Sequence, residues 1–152
     1  KIKREIRSGK DKAEALYSVF SSMRLSYQDA EEAMKKYELV STQMPFSMAN
    51  RRIEKDIIPY SIKSKIAIIC YYPLGHGKLI KNFPKEIVEK VKEKYGNKTP
   101  AQIALNWIIS KYENTFPIPR ASNPIHVKEN LGAVNWRMDK EILDFVDKYF
   151  PP

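Results

Sequence analysis

IAIICYYPLGHGK, residues 66–78, decides the fold class. Its first seven residues are rich in isoleucine and apolar on both alternating faces, the pattern of a short strand buried in a parallel sheet. A proline and two glycines then break the extended run. The next two segments are helical. PKEIVEKVKEKY (84–95) places proline in the first turn and Ile87, Val88, Val91 and Tyr95 on one face. TPAQIALNWIISKY (99–112) has Thr99 as N-cap and Pro100 at the first position. Its stripe is Ala101, Ala104, Leu105, Ile108 and Tyr112.

The same alternation extends in both directions. Upstream, RRIEKDIIPYSIKSK (51–65) lays Ile53, Ile57, Ile58 and Ile62 along one helical face, with Pro59 predicting a kink or an early end. ELVST (38–42) reads as a short strand ending near Gln43. SYQDAEEAMKKY (26–37) reads as a helix capped by Ser26, with acids early and lysines late, and ALYSVF (15–20) as a strand. Downstream, TFPIP (115–119) is an extended run. NPIHVKENLGA (123–133) is a short helix capped by Asn123, and MDKEILDFVDKYF (138–150) a final amphipathic helix. A strand and then a helix, four times over, predicts an α/β fold of parallel (β/α) units. Two architectures satisfy that pattern: a small doubly wound sheet, or half of a TIM-type (β/α)8 barrel, whose full form needs about 250 residues. The 152 residues read as a single domain, with residues 1–14 as a charged N-terminal helix or loop.

Composition narrows the function classes. With 43% hydrophobic and 30% charged residues the chain has the makings of a globular core, and no apolar run approaches the roughly 20 residues that span a bilayer. The lone cysteine, Cys70, excludes an internal disulfide framework and suits a reducing cytoplasm; it reads as a small buried hydrophobe. His76 and His126 lack helical spacing, so no metal site is expected. The net charge of +9 is spread along helices in which lysine alternates with glutamate, the mark of solvated faces rather than of a nucleic-acid surface. Part of it suits an anionic ligand. Trp107 and Trp136 read as packing residues.

In either architecture ligands bind at the C-terminal ends of the parallel strands. The residues there are Ser21 and Ser22, Gln43, Tyr71 to Gly77, and Ile118 to Ser122. They include hydroxyls and an amide able to hold a carboxamide, an aromatic ring able to stack, a glycine-containing loop, and Arg120 beside a helix N-terminus. That set could grip a nicotinamide dinucleotide, its phosphates meeting backbone N–H groups and positive charge.

Four stretches carry a resemblance to the aldo-keto reductase family. TPAQIALNWIIS and, after it, PIPRASNPIHVKENLGAVNW resemble the family's C-terminal signature. CYYPLGHGKL (70–79) is similar to the family's AYSPLGRGLL at the seventh barrel strand, and STQMPFSMANRRIEKDIIPY (41–60) to its sixth strand and helix. RSGKDKAEALYSVFSSM (7–23) looks like the family's EGKIRYIGVSNF when about four extra residues are allowed. The resemblance implies a (β/α) barrel that uses NADPH or NADH to reduce carbonyls or oxidise alcohols, with this chain, as a truncated member, supplying strands five to eight.

The resemblance also implies site residues, position by position. Ser21 and Ser22 fall on the pair that holds the nicotinamide carboxamide; without the gap, Met23 and Arg24 fall there. Gln43 matches the glutamine that also binds the carboxamide, and Tyr71 the tyrosine that stacks on the ring. Tyr72 stands where a serine is usual, and Pro73, Leu74 and Gly75 match the loop along the pyrophosphate. In IPRASNPIHVKEN, Arg120 takes the position facing the 2′-phosphate, Ala121 replaces a serine, His126 replaces an arginine, and Glu129 and Asn130 match the pair near adenine. NADP is thereby slightly favoured over NAD. The family's catalytic aspartate, tyrosine, lysine and histidine come from the first half of its barrel, and no residue here matches them. The chain alone is therefore expected to be nearly inactive. Four parallel strands would leave open edges, so a homodimer or the missing N-terminal half is expected to cover the sheet. Two other functions fit the same residues: a non-catalytic half-barrel interaction protein, and a nucleotide sensor.

Overall fold

Three parallel strands pair in the order β1–β2–β3: β1 is Ser41–Pro45, β2 is Ala67–Tyr71 and β3 is Thr115–Pro117. The computed structural model describes residues 39–152. The expected strand at 15–20, the helix at 26–37, and Ser21 and Ser22 lie outside the described residues. Helix α1 (Ile57–Lys63) joins β1 to β2. Helices α2 (Lys78–Lys81), α3 (Lys85–Tyr95) and α4 (Pro100–Lys111) join β2 to β3. After β3 come α5 (Pro124–Leu131) and α6 (Lys140–Tyr149). Both described connections are helical crossovers, as parallel neighbours require.

Register fixes what each face of the sheet carries. Gln43 pairs with Ile69 and Ile69 with Phe116; Pro45 pairs with Tyr71; Ile68 pairs with Thr115 and Cys70 with Pro117. Partners in register share a face. One face, holding Thr42, Ile68, Cys70 and Thr115, is buried against helices, where Ile103, Ala104, Trp107 and Ile108 of α4 complete the core. The other face carries Gln43, Ile69, Tyr71 and Phe116 and is half-buried or exposed. The stretch 66–72, expected to be buried on both faces, is fully buried on one.

Three local differences from the sequence reading have physical reasons. Strand β1 starts at Ser41, with Leu39 and Val40 outside it, and runs on to Pro45, whose missing N–H leaves the pairing with β2 intact because the ladder continues through Phe46 N–H to the Tyr71 carbonyl. Pro59 does not kink α1. It lies in the first turn, where backbone N–H groups have no intrahelical partner. A 3-10 turn at Arg52–Glu54 and the irregular residues after it reset the helical phase, so Ile53, Ile57 and Ile58 are buried while Ile62 is 52% exposed. In α3, proline sits one residue earlier than expected, as the N-cap Pro84.

Helix α4 is the central element. Thr99 caps it, its hydroxyl accepting from Gln102 N–H while Gln102 Oε1 accepts from Thr99 N–H. Ala101 and residues 103–108 are buried on more than one side, as in a helix packed all round. Asn106, fully buried, donates to the carbonyls of Ala133 and Trp136 at 2.8 Å each and accepts from Met138 N–H. That side chain pins the segment between α5 and α6 to α4. An ionic cluster docks the C-terminal helix. Arg51 pairs with Glu54 (2.7 Å) and Asp147 (3.1 Å), Lys111 pairs with Asp147 (2.5 Å), and Trp107 Nε1 donates to Asp147.

Candidate functional site

The C-terminal ends of the three strands lie at one end of the sheet because the strands are parallel. Gln43 and Tyr71 stand on the same face of adjacent strands, Gln43 opposite Ile69 and Tyr71 one pleat farther along, level with Pro45. The structure therefore brings these two expected residues together. Gln43 is exposed, and no described residue hydrogen-bonds its carboxamide. The Tyr71 ring is half-buried and meets Tyr72 edge-on, with centroids 5.0 Å apart.

The loop leaving β2 holds the site's strained backbone. Tyr72 (φ 52°) and His76 (φ 55°) both occupy the left-handed region, which bulky residues seldom adopt. The two rings stack on each other at 3.8 Å. Tyr72 is 54% exposed, so the bulk that replaces the usual serine lies against His76 and solvent. No sequence pattern marks this pair, since its signal is backbone conformation. Pro73 is buried, and Leu74 packs on the core and anchors the loop. Gly75 (φ 56°) comes next, its N–H bonded to the Tyr72 carbonyl.

The third contribution comes from the exit of β3. Arg120 is exposed and forms no ion pair with a described acid. Asn123 caps α5 through Ile125 N–H at 2.8 Å, as its place before Pro124 predicts. His126 is exposed, with Nδ1 3.5 Å from Glu129 Oε2. Glu129 and Asn130 are half-buried. Ala121 borders a shallow hollow with Ser122, Asn123 and Lys128, and Lys128 adds a cation that motif matching passes over. A groove of about 550 Å³ runs beside β3, away from Gln43 and Tyr71, with Ala121 and Asn130 among its walls.

Electrostatics separate this region from Cys70. Burial pushes that thiol up to about 12, so it stays protonated and is no nucleophile. No helix among the described residues is long and apolar enough to cross a membrane.

The aldo/keto reductase family pattern matches residues 17–149. An uncharacterized oxidoreductase of Schizosaccharomyces pombe is 31% identical over 137 residues, which cover 90% of this chain and 44% of that protein. The methylglyoxal reductase of Escherichia coli is 24% identical, covering 84% of this chain and 46% of its own length. Among solved structures, a thermostable aldo-keto reductase in complex with the inhibitor epalrestat superposes with a TM-score of 0.71 at 26% identity, over 82% of this chain and 46% of that one. An aldo-keto reductase from Klebsiella pneumoniae in complex with NADPH shares the fold, with a TM-score of 0.75 at 21% identity over 93% and 54%. The chain thus spans about half the length of the relatives it matches, and its parallel α/β fold is that of part of their barrel.

Proposed function

The chain belongs to the aldo/keto reductase family, and from that premise we propose that it carries the nicotinamide-dinucleotide side of a carbonyl-reducing, alcohol-oxidising site. The observation that supports this best is the shared face of Gln43 and Tyr71 at the strand exits. A free carboxamide beside a half-buried aromatic ring fits a nicotinamide: the amide exchanges donor and acceptor with the ligand's own amide, and the ring stacks. Ser21 and Ser22 would complete the carboxamide contact. The Pro73–Gly75 turn would run along the pyrophosphate. Arg120 would meet a 2′-phosphate, with Ala121, His126, Glu129 and Asn130 around the adenosine. The guanidinium of Arg120, without an ion pair to any described acid, favours NADP slightly over NAD.

Bound, the nicotinamide supplies or accepts a hydride. The chain's own residues hold and orient that ring, but none of them matches the family's catalytic acid. A positioned acid contributes roughly 10²–10⁴-fold, so the chain by itself binds cofactor with little turnover. A cytoplasmic setting fits the free thiol of Cys70. Completing a barrel calls for strands beyond those described.

Titrating the chain with NADPH while monitoring nicotinamide fluorescence tests the proposal. Saturable binding is expected. Tyr71→Ala should weaken it by about 5- to 150-fold, the worth of one base–aromatic stack at roughly 1–3 kcal/mol. Arg120→Ala should weaken NADPH more than NADH. Unchanged affinity in Tyr71→Ala, or no binding at all, refutes the assignment. Turnover of a simple aldehyde by the chain alone would instead refute the absence of an acid.

A further inference from the structure

We infer that the ring stack of Tyr72 on His76 is a clasp that holds the loop leaving β2 in the shape that receives the cofactor's pyrophosphate. Both are positioning residues, a role that rests on the cofactor reading of the site and deepens it. The starting point is an outlier of the backbone. Tyr72 has φ 52°, a value that strains a bulky residue, and it stands before Pro73, where the chain prefers to be extended. His76 has φ 55°, which histidine tolerates better. A conformation of this kind persists only where its surroundings over-determine it, and such places gather at ligand clamps.

The loop is held on three sides. Before Tyr72, the Tyr71 carbonyl accepts from Phe46 N–H, so the chain enters from a fixed ladder. After it, Pro73 is buried and Leu74 packs on the core. Gly75 lies so close to α2 that a Cβ there would stand 3.3 Å from that of Leu79. The two ends of the loop, Tyr72 and His76, are exposed, and their rings close it, with centroids 3.8 Å and planes 36° apart. A serine at position 72 would leave His76 without that partner. The Tyr71 ring, proposed to stack on the nicotinamide, meets Tyr72 edge-on at 5.0 Å, so the same clasp braces it. Within the loop, Gly75 N–H bonds the Tyr72 carbonyl and Gly77 N–H the Leu74 carbonyl. The N–H groups of Leu74 and His76 have no acceptor among the described residues and are the loop's donors for phosphate oxygens. A loop already in its bound shape pays little ordering entropy when the ligand arrives.

Asparagine adopts left-handed backbone readily, so it removes either ring without adding strain. In Tyr72→Asn and in His76→Asn, NADPH should bind roughly 2- to 12-fold more weakly, the worth of one aromatic pair. Changing both should weaken it no further than changing one. Tyr72→Phe, which keeps the ring, should bind as the unaltered chain does. Adenosine 2′-monophosphate, which has no pyrophosphate, should bind every variant alike. Without ligand, amide hydrogen exchange should quicken at Gly75 and Gly77 in the asparagine variants, with α4 unchanged as the check on folding. If Tyr72→Asn unsettles α4, His76→Asn at the other end of the loop gives the same reading. Unchanged NADPH affinity in the asparagine variants, additive losses, weak binding by Tyr72→Phe, or an equal loss of adenosine 2′-monophosphate overturns the clasp and leaves the cofactor reading standing. An unaltered chain that binds no NADPH overturns both.

Discussion

Replacing Arg51 with methionine should destabilise the chain by about 3 kcal/mol, through the cluster that docks α6. The Arg51 side chain is 5% exposed and that of Glu54 9%. Its Nε donates to Glu54 at 2.7 Å, its Nη1 donates to the Phe150 carbonyl and lies 3.1 Å from Asp147, and its guanidinium sits 5.2 Å from the Trp107 ring centroid. Methionine keeps most of the stem's volume and removes the charge. Removing one partner of a buried pair costs roughly 3–5 kcal/mol, because the other charge stays desolvated. Glu54 retains the Tyr112 hydroxyl at 3.2 Å and Lys111 at 4.0 Å, and Asp147 retains Lys111 at 2.5 Å, which places the loss at the low end. A loss of about 3 kcal/mol lowers the melting temperature by roughly 10 °C in a chain of this size. Urea unfolding monitored by tryptophan fluorescence measures it. The double variant Arg51→Met/Glu54→Leu removes both charges and should recover half or more of the loss, since an apolar pair often replaces a buried ion pair at little cost. A single-variant loss below about 1 kcal/mol, or a double variant worse than the single one, would refute the account of the cluster.

Other outcomes are expected from single side chains. Asn106→Ala should cost about 2–4 kcal/mol in urea unfolding, because it strips a donor from the buried carbonyls of Ala133 and Trp136 and the acceptor from the Ser110 hydroxyl, while Met138 N–H keeps Ser110 Oγ at 3.0 Å. Cys70 should resist a maleimide at mildly alkaline pH in the native state and react only as fast as the chain unfolds; rapid native labelling would show that the strand is not buried as described. The raised thiol pKa also makes the fold lose stability as pH climbs from the ordinary value of 9.0 toward about 12. Cys70→Ala should reduce that alkaline loss, the remainder coming from groups such as Tyr112, whose hydroxyl burial also pushes up. At the acid end, the Lys94 ammonium holds the Asp139 carboxyl below its usual range, and Lys90 and then Lys94 do the same for Glu141. The stability they lend is present at neutral pH and lost as pH falls through their lowered pKa values. Asp139→Asn, which keeps an N-cap acceptor for α6, should flatten part of that acid limb.

How far the site is legible in the sequence depends on the kind of signal each residue leaves. Thr99, Pro100 and Asn123 are local devices, and the structure uses them where their neighbours in the chain predict; Asp139 caps α6 in the same way, although its place before KEIL draws no notice by itself. Gln43, Tyr71, Pro73 to Gly75 and Arg120 stand out through spaced motifs at strand exits. The Tyr72–His76 stack does not, because nothing in a one-dimensional pattern announces two left-handed residues whose rings meet. Asn106 and Arg51 escape for another reason. A polar residue inside an apolar stripe looks like noise until the carbonyls and carboxylates it serves arrive from 27 and 96 positions away.

Periodicity, caps and spaced motifs are properties of neighbours in the chain, and by themselves they determined the parallel α/β fold and the family. Register and burial belong to distant partners. Only the tertiary structure could decide that Gln43 and Tyr71 share a face and that Ile62 turns outward. Local sterics and hydrogen bonding act over a few residues and are written in order along the chain. Pairing across a sheet depends on which segments meet, and that is settled when the whole core packs at once.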